Sequence, residues 1–341
     1  MKKIVFTGGG SAGHVVPNLA LIAECRCDPY YIGTDAIEKK LVTEKKIPYY
    51  TIHCPKFDRG KKLGNLSVPH KLCGAIREAK KGLATISPDL VFSKGGYVSL
   101  PVVLAAHSMH IPVIVHESDL TPGLANKLSA PFAEEVLTSF PETANRWKKG
   151  KFTGNPIRKD LFSATKESAQ KKYGISGRPV LLVFGGGSGS DALNGSVRAC
   201  ISQLTKEFTV LHLCGKGNVV QTNIPHYLQR EYESDMASAY AVADYVLCRA
   251  GANTLFELMA LKKPALVVPL SKSSRGDQVQ NADYFQARGL CRVLKEERLS
   301  ELSSALKELT NDHKLKENLA LHAFPSDNQG ILKEIRRYLN A

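Results

Sequence analysis

Short apolar, β-branched runs alternate with longer segments in which apolar positions recur every three to four residues, and the alternation continues almost from end to end. The runs at 3–7, 29–33, 49–52, 89–93, 112–116 and 135–138 read as strands of a first series. Those at 180–184, 209–213, 245–248, 265–269 and 291–294 form a second. Helical periodicity falls between them, for example at 14–24, 71–85, 191–204, 254–261 and 278–289. Strands that are apolar throughout, spaced by helices, predict an α/β fold with parallel sheets covered on both faces.

The two series repeat one plan. Ile4-Val-Phe-Thr-Gly-Gly-Gly-Ser11 opens the first and Leu182-Val-Phe-Gly-Gly-Gly-Ser188 the second, each a strand running into three glycines and a helix. Phe152-Thr-Gly-Asn-Pro-Ile157 reads as a last strand, a turn and a break, so the expected domains are 1–155 and 156–341. Polar helices from 299 to 339, interrupted at Pro325, close the chain, the last of them able to pack back on the first domain. Two doubly wound domains are expected, with ligands at the carboxyl ends of the strands and in the cleft between domains.

Over 341 residues, 43% hydrophobic and 23% charged positions make an ordinary globular composition. Apolar runs fall far short of the ~18 residues of a spanning helix, and a first strand at Lys3 leaves no room for a signal peptide, so a cytoplasmic chain is expected. Lysine and arginine number 46 against 32 acidic residues, and this +14 excess points to a polyanionic partner. Aromatic or basic groups interleaved on a recognition surface are missing, which argues against nucleic acid. The stretch 56–81 concentrates the excess: Lys56, Arg59, Lys61, Lys62, Lys71, Arg77, Lys80 and Lys81 stand against Asp58 and Glu78, with Leu72, Ile76 and Leu83 at helical spacing beside them. That stretch is expected to dock on an anionic lipid surface. The eight cysteines form no C-x-x-C pair, and neither a disulfide nor a zinc site is expected.

Gly8-Gly-Gly-Ser-Ala-Gly13 satisfies G-x-G-x-x-G, with Asp35 about 20 residues on, so a dinucleotide site is one reading. More generally, glycines admit a phosphate and the next helix offers N–H groups and a positive dipole end; a tight turn without ligand fits equally. His14 falls in the first helical turn, either as a general base or as a capping residue. Ser93-Lys-Gly-Gly-Tyr-Val-Ser99 and Val115-His-Glu-Ser-Asp-Leu-Thr-Pro-Gly123 follow strands of the same domain and end at the same sheet edge. An acceptor pocket could form there, or His116 and Glu117 could pair to support the loops. In the second domain, Tyr245-Val-Leu-Cys-Arg-Ala-Gly-Ala-Asn-Thr-Leu-Phe-Glu257 reads as strand, turn and helix start. Its N–H groups and the Thr254 hydroxyl suit a diphosphate, and Glu257 suits the 2′- and 3′-hydroxyls of a ribose. Gln278 and Asn281, three apart, suit sugar hydroxyls.

Taken in order, Gly9-Gly-Ser-Ala-Gly-His14, Gly95-Gly-Tyr-Val-Ser99, His116-Glu117, Gly154-Asn-Pro-Ile-Arg158, Cys248-Arg-Ala-Gly…Glu257 and Gln278-x-x-Asn281 resemble the MurG family. These are peripheral-membrane transferases that add N-acetylglucosamine to undecaprenyl-diphosphate-linked muramoyl peptide. The resemblance spans Lys3 to about Arg288. It implies a GT-B type fold, two doubly wound Rossmann-like domains facing a central cleft, with an acceptor- and membrane-binding first domain and a UDP-sugar-binding second. It implies UDP-N-acetylglucosamine and the undecaprenyl-diphosphate muramoyl peptide as substrates, inversion at the anomeric carbon, and the cytoplasmic face of the cell membrane as the location.

Residue by residue, it puts Ser11, Ala12 and Gly13 on the first loop and His14, His116, Glu117 and Tyr97 among the catalytic candidates. Arg158 falls near the nucleotide, Gly187, Ser188 and Asn194 at the second glycine loop, and Glu257 on the ribose, with Gln278 on the donor sugar. The chain departs from the family pattern at Ser11-Ala12, where Thr-Gly is commonest, at Asp119, where asparagine is usual, and at Gly187-Ser188, where the serine is displaced by one. No Asp-x-Asp occurs, so neither metal nor cofactor is expected. A UDP-N-acetylglucosamine epimerase is the alternative on the same architecture, and a nicotinamide-dependent dehydrogenase the weaker one.

Overall fold

A computed structural model describes residues 1–55, 68–271, 276–322 and 328–340. The first strand series becomes β1 (Lys3–Thr7), β2 (Asp28–Gly33), β3 (Tyr49–Thr51), β4 (Leu90–Ser93), β5 (Val113–Glu117), β6 (Glu135–Thr138) and β7 (Gly150–Phe152). The second becomes β8 (Val180–Phe184), β9 (Thr209–Leu213), β10 (Tyr227–Arg230), β11 (Tyr245–Cys248), β12 (Ala265–Val267) and β13 (Arg292–Val293). They build two all-parallel sheets, ordered β3-β2-β1-β4-β5-β6-β7 and β10-β9-β8-β11-β12-β13. Each is a doubly wound, Rossmann-like sheet whose strand order reverses beside its first strand, between β1 and β4 and between β8 and β11. In register, Thr7 lies beside Ser93, and Phe184 beside Cys248. Both glycine loops therefore emerge at a reversal point, where loops diverge to opposite faces and leave room for a ligand.

The strands are apolar on both faces because helices cover both. Phe6, Phe92, Ile4 and Leu90 pack to one side of the first sheet, and Val5, Val91, Val113 and Val115 to the other, against the helices Val68–Ile86 and Ser99–Ser108. The chain folds as two units: Met1–Arg158 with Asp327–Ala341, and Lys159–Ser326. The helix Gln329–Leu339 buries Ile331, Leu332 and Ile335 in the first unit's core. Ion pairs fasten it at the rim: Lys151 bridges Glu135 (2.6 Å) and Glu334 (2.9 Å), and Arg337 meets Glu135 at 3.2 Å. Asn328 clamps Ile157, accepting its N–H at 2.8 Å and donating to its carbonyl at 2.9 Å.

The strand, turn and break read at 152–157 fall at Gly150–Phe152, at Gly154, which turns at φ 81°, and at Pro156, which has no N–H for a ladder. Elsewhere the sequence reading moves. The helix expected at 191–204 breaks at Cys200 (φ −110°, ψ 11°) into Asp191–Ala199 and Ile201–Glu207. β10 has no forecast, since Tyr-Leu-Gln-Arg is a half-buried edge strand without an apolar run. No helix among the described residues is long and apolar enough to cross a membrane. In the helix Val68–Ile86, Lys71, Arg77, Lys80 and Lys81 are exposed, whereas Leu83 is buried and Ile76 packs on the core. Its apolar face is thus used internally, not offered to lipid. Lys56, Arg59, Lys61 and Lys62 lie outside the described residues.

Candidate active site

In the first unit, the helix Ala12–Ile22 starts directly after the glycine loop, with Ser11 as its extended N-cap residue. The Ser11 hydroxyl lies 2.9 Å from His14 Nδ1, one turn in. Gly10 holds φ 82°, and a methyl group there would meet the Tyr97 ring at 2.6 Å. A methyl at Gly96 would meet the Gly9 carbonyl at 2.3 Å, so the loops after β1 and β4 interlock through glycine. Burial pushes the half-exposed Tyr97 hydroxyl above its ordinary value, with Glu38 and Cys54 adding to the shift.

Glu38, which carried no expectation, is the surprise of this loop. Fully buried, it accepts the Gly10 N–H at 3.2 Å and the Thr34 N–H at 3.1 Å, and the Thr34 hydroxyl as well. Asp35, the residue a dinucleotide site would use for ribose, instead pairs with Lys39 at the surface. The glycine loop is therefore occupied by an internal carboxylate, which removes the basis of the dinucleotide reading.

His116 and Glu117 end β5, and neither is placed as a base. His116 is fully buried, with Nε2 3.0 Å from the Gly154 carbonyl and Nδ1 2.9 Å from Lys94 Nζ. The carbonyl can only accept, so Nε2 carries the proton and Nδ1 accepts from Lys94. Burial, then the Lys94 charge, hold this imidazole well below its ordinary pKa. Lys94 is 2% exposed, and burial lowers its amine to about 8 against the opposing pull of Glu117 and Asp119. It also donates to the Ser118 hydroxyl, which donates to Asn155 at 2.9 Å. Glu117 accepts from the N–H groups of Asp119 (2.9 Å) and Gly123 (2.8 Å) and from Asn126 Nδ2 (2.9 Å). Three donors on two oxygens fix the 118–123 loop and leave this carboxylate a positioning group. Arg158 is half-buried one residue beyond the Asn328 clamp, and Asp119 is half-buried at the start of its loop.

The second unit repeats the arrangement with a different occupancy. Gly186, Gly187 and Ser188 are exposed after β8, and nothing lies within 4 Å of a methyl group at Gly186 or Gly187. Ser190 caps the next helix, accepting from Leu193 N–H. Its oxygen also accepts from Arg249 Nε (3.2 Å) and Nη2 (2.7 Å), while Arg249 Nη1 donates to the Val268 carbonyl at 3.2 Å and Nη2 pairs with Glu296. Arg249 thus ties three strand ends together and, at 8% exposure, is a fastener rather than a phosphate ligand.

Asn194 likewise turns inward. At 2% exposure its Nδ2 donates to the Cys214 carbonyl at 2.8 Å and its Oδ1 accepts from His212 Nε2 at 2.9 Å, so it joins helix to sheet instead of meeting a ligand. Tyr227 O–H completes the imidazole's pairing at Nδ1, 2.9 Å away. The helix Ala252–Ala260 starts at Gly251, with Thr254 half-buried in its first turn. Glu257, half-buried, accepts from Tyr240 O–H at 3.0 Å. Gln278 Oε1 accepts the Leu270 N–H at 3.0 Å and Asn281 is fully buried, so the two do not share a surface as their spacing suggested.

Comparison with known proteins follows this division. Residues 4–138 match the glycosyltransferase family 28 N-terminal domain, and 180–333 the family 28 C-terminal domain. The chain is 45% identical to the UDP-N-acetylglucosamine--N-acetylmuramyl-(pentapeptide) pyrophosphoryl-undecaprenol N-acetylglucosamine transferase of Clostridium perfringens (strain SM101 / Type A), over 90% of each chain. It is 44% identical to the transferase of the same name from Lachnoclostridium phytofermentans, over 98% of this chain and 99% of that one. Among solved structures, Acinetobacter baumannii MurG matches at a TM-score of 0.76 and 25% identity, covering 99% of this chain and 100% of that one. The UDP-GlcNAc 2-epimerase of Neisseria meningitidis, bound to UDP-GlcNAc, matches at 0.69 and 17% over all of both chains, a likeness of fold alone.

Proposed function

The chain belongs to glycosyltransferase family 28, and from that premise we propose that it moves N-acetylglucosamine from UDP-N-acetylglucosamine to the C4 hydroxyl of undecaprenyl-diphosphate-linked N-acetylmuramoyl peptide. The observation that carries this reading is the helix Ala252–Ala260 and its glutamate. At about 1.5 Å of rise per residue, Glu257 starts about 7 to 8 Å along the axis from Ala252, and helical side chains lean back toward the N-terminus. A diphosphate at the helix start and a ribose at Glu257 fit that interval. The Tyr240 hydroxyl supports it by turning the carboxylate to one side.

Transfer forms a bond from the acceptor oxygen to the anomeric carbon and breaks the bond to UDP, with inversion. His14 takes the hydroxyl proton. Ser11 Oγ, 2.9 Å from Nδ1, can accept from it or donate to it, and the tautomer that presents Nε2 as the base is the one in which Nδ1–H donates to Ser11. Growing charge on UDP is stabilised by the helix N-terminus at Gly251 and by Arg158, with Gly187, Ser188 and Thr254 as further donors and Glu257 and Gln278 holding ribose and sugar. Ser11, Ala12, Gly13, Tyr97 and Asp119 serve the acceptor in the first unit, while Lys94, His116, Glu117 and Asn194 hold the loops. Asn281 backs the sugar site from beneath Gln278. The protein acts at the cytoplasmic face of the cell membrane as a peripheral enzyme, drawn to anionic lipid by the exposed lysines and arginine of the helix Val68–Ile86.

The test is UDP release from UDP-N-acetylglucosamine with and without prenyl-diphosphate muramoyl acceptor. Release only with acceptor, with one disaccharide formed per UDP, supports the transferase. Acceptor-independent conversion of the nucleotide sugar would instead identify the epimerase.

A further inference from the structure

The two units carry the same strand–glycine–helix motif at the same point of the same sheet topology, yet they treat it in opposite ways. In a dinucleotide fold the second glycine of G-x-G-x-x-G lets the backbone approach a diphosphate. In the first unit that glycine is Gly10. Its N–H is already accepted by Glu38, and the Tyr97 ring stands where its Cβ would be. Gly9, beside it, is buried, and a methyl there would meet the Glu38 carboxyl carbon at 2.7 Å. In the second unit the corresponding Gly187 is exposed, as Gly10 is, but nothing lies within 4 Å of a methyl group built on it. One loop is filled from within by an anion; the other is open.

We propose that Glu38 is a specificity-determining residue, an internal anion that closes the first unit's glycine loop to nucleotide diphosphates. The donor nucleotide is thereby confined to the second unit. A diphosphate entering the first loop would have to displace a carboxylate held by three donors, and until it did so would face a negative charge at contact distance. Without Glu38, the duplicated motif would offer UDP two places per chain, one of them where the acceptor must dock. Only the outer rim, Ser11 to His14, is left for the acceptor. This rests on the reading of UDP as the nucleotide carried.

Calorimetry with UDP on the full chain tests it. Glu38→Ala removes the carboxylate while leaving Gly10 and Thr34 as donors, so it should bind one more UDP per chain than the parent. The added site should survive in Glu38→Ala/Glu257→Ala, where the second unit's ribose contact is gone. An unchanged stoichiometry at millimolar UDP, with parent-like circular dichroism, overturns the proposal. Should Glu38→Ala not fold, the parent itself decides: UDP should shift the amide resonances of Gly186 and Gly187 and leave those of Gly9 and Gly10 in place. Movement of Gly9 and Gly10 would overturn the proposal as surely. A parent that binds no UDP would refute the donor reading, whereas the increment produced by Glu38→Ala would still report on Glu38.

Discussion

Replacing Glu257 by glutamine isolates the contact on which the proposed donor site depends. The carboxylate is half-buried and receives the Tyr240 hydroxyl on Oε2 at 3.0 Å, and in the proposed donor site it also accepts from the ribose hydroxyls. In Glu257→Gln the amide oxygen settles on Tyr240, which needs an acceptor, and the –NH2 group faces the ligand. The 2′- and 3′-hydroxyls then meet a neutral donor where they had a charged acceptor. A hydrogen bond to a charged group contributes about 1.5–3 kcal/mol. Losing most of one and part of another, with the ribose free to reorient as an acceptor, leaves a deficit of about 1.5–3 kcal/mol. At 1.4 kcal/mol per tenfold, Kd for UDP should rise about 10- to 100-fold by calorimetry. The comparison ligand is 2′,3′-dideoxy-UDP, which lacks both hydroxyls and should bind parent and variant alike. Were Glu257 only complementing the helix dipole, worth about 0.3–1 kcal/mol, both ligands would weaken slightly and equally. UDP affinity unchanged in the variant would refute the placement of the nucleotide.

Three further outcomes are expected. His14→Ala should lower turnover by about 10² to 10⁴-fold with UDP affinity nearly unchanged, and a variant within threefold of the parent would return His14 to capping. Binding to anionic vesicles should weaken steeply with salt and with Lys80→Glu/Lys81→Glu; equal binding to neutral vesicles would remove the electrostatic account. His212 is lowered by burial, and less by Arg198, from 6.5 to about 4, so the unfolded chain binds the extra proton between those values. Stability should therefore fall as pH drops from 6.5 to 4, by about 3 kcal/mol at about 1.4 kcal/mol per pH unit, in a urea titration series. A slope unaltered in His212→Gln would show that other groups set it.

The strands were legible because both faces of a parallel sheet are covered, which forces short apolar, β-branched runs such as Val180–Phe184 and the start of Val113–Glu117. Where one face is half open, as in β10, the signal vanishes. The glycine loops were legible for a related reason: backbone that must turn at φ 82° or pass 2.3 Å from where a methyl would stand has one residue type to use. The roles of charged side chains were less so. Arg249, His116 and Asn194 sit in motifs that face the ligand edge, and the sequence marks the edge without saying which way each side chain turns. Their inward direction follows from partners far along the chain, such as Glu296, Gly154 and Cys214. Glu38 was invisible for the same reason, being one more glutamate in the short polar helix Ile37–Thr43 until that helix folds against Gly10.

The return of Gln329–Leu339 to the first unit has a consequence for the order in which the protein can form on the ribosome. Ile331, Leu332 and Ile335 complete a core whose other members were made more than 190 residues earlier, the latest of them Leu137. Synthesis at roughly 5–20 residues per second leaves that core unfinished for about ten to forty seconds. Residues 159–326 emerge whole in the meantime, as an insertion within an unfinished host. The earlier-made half is thus the later to close, and the nascent chain spends that interval with the apolar seat of its final helix uncovered, a ready target for a holding chaperone.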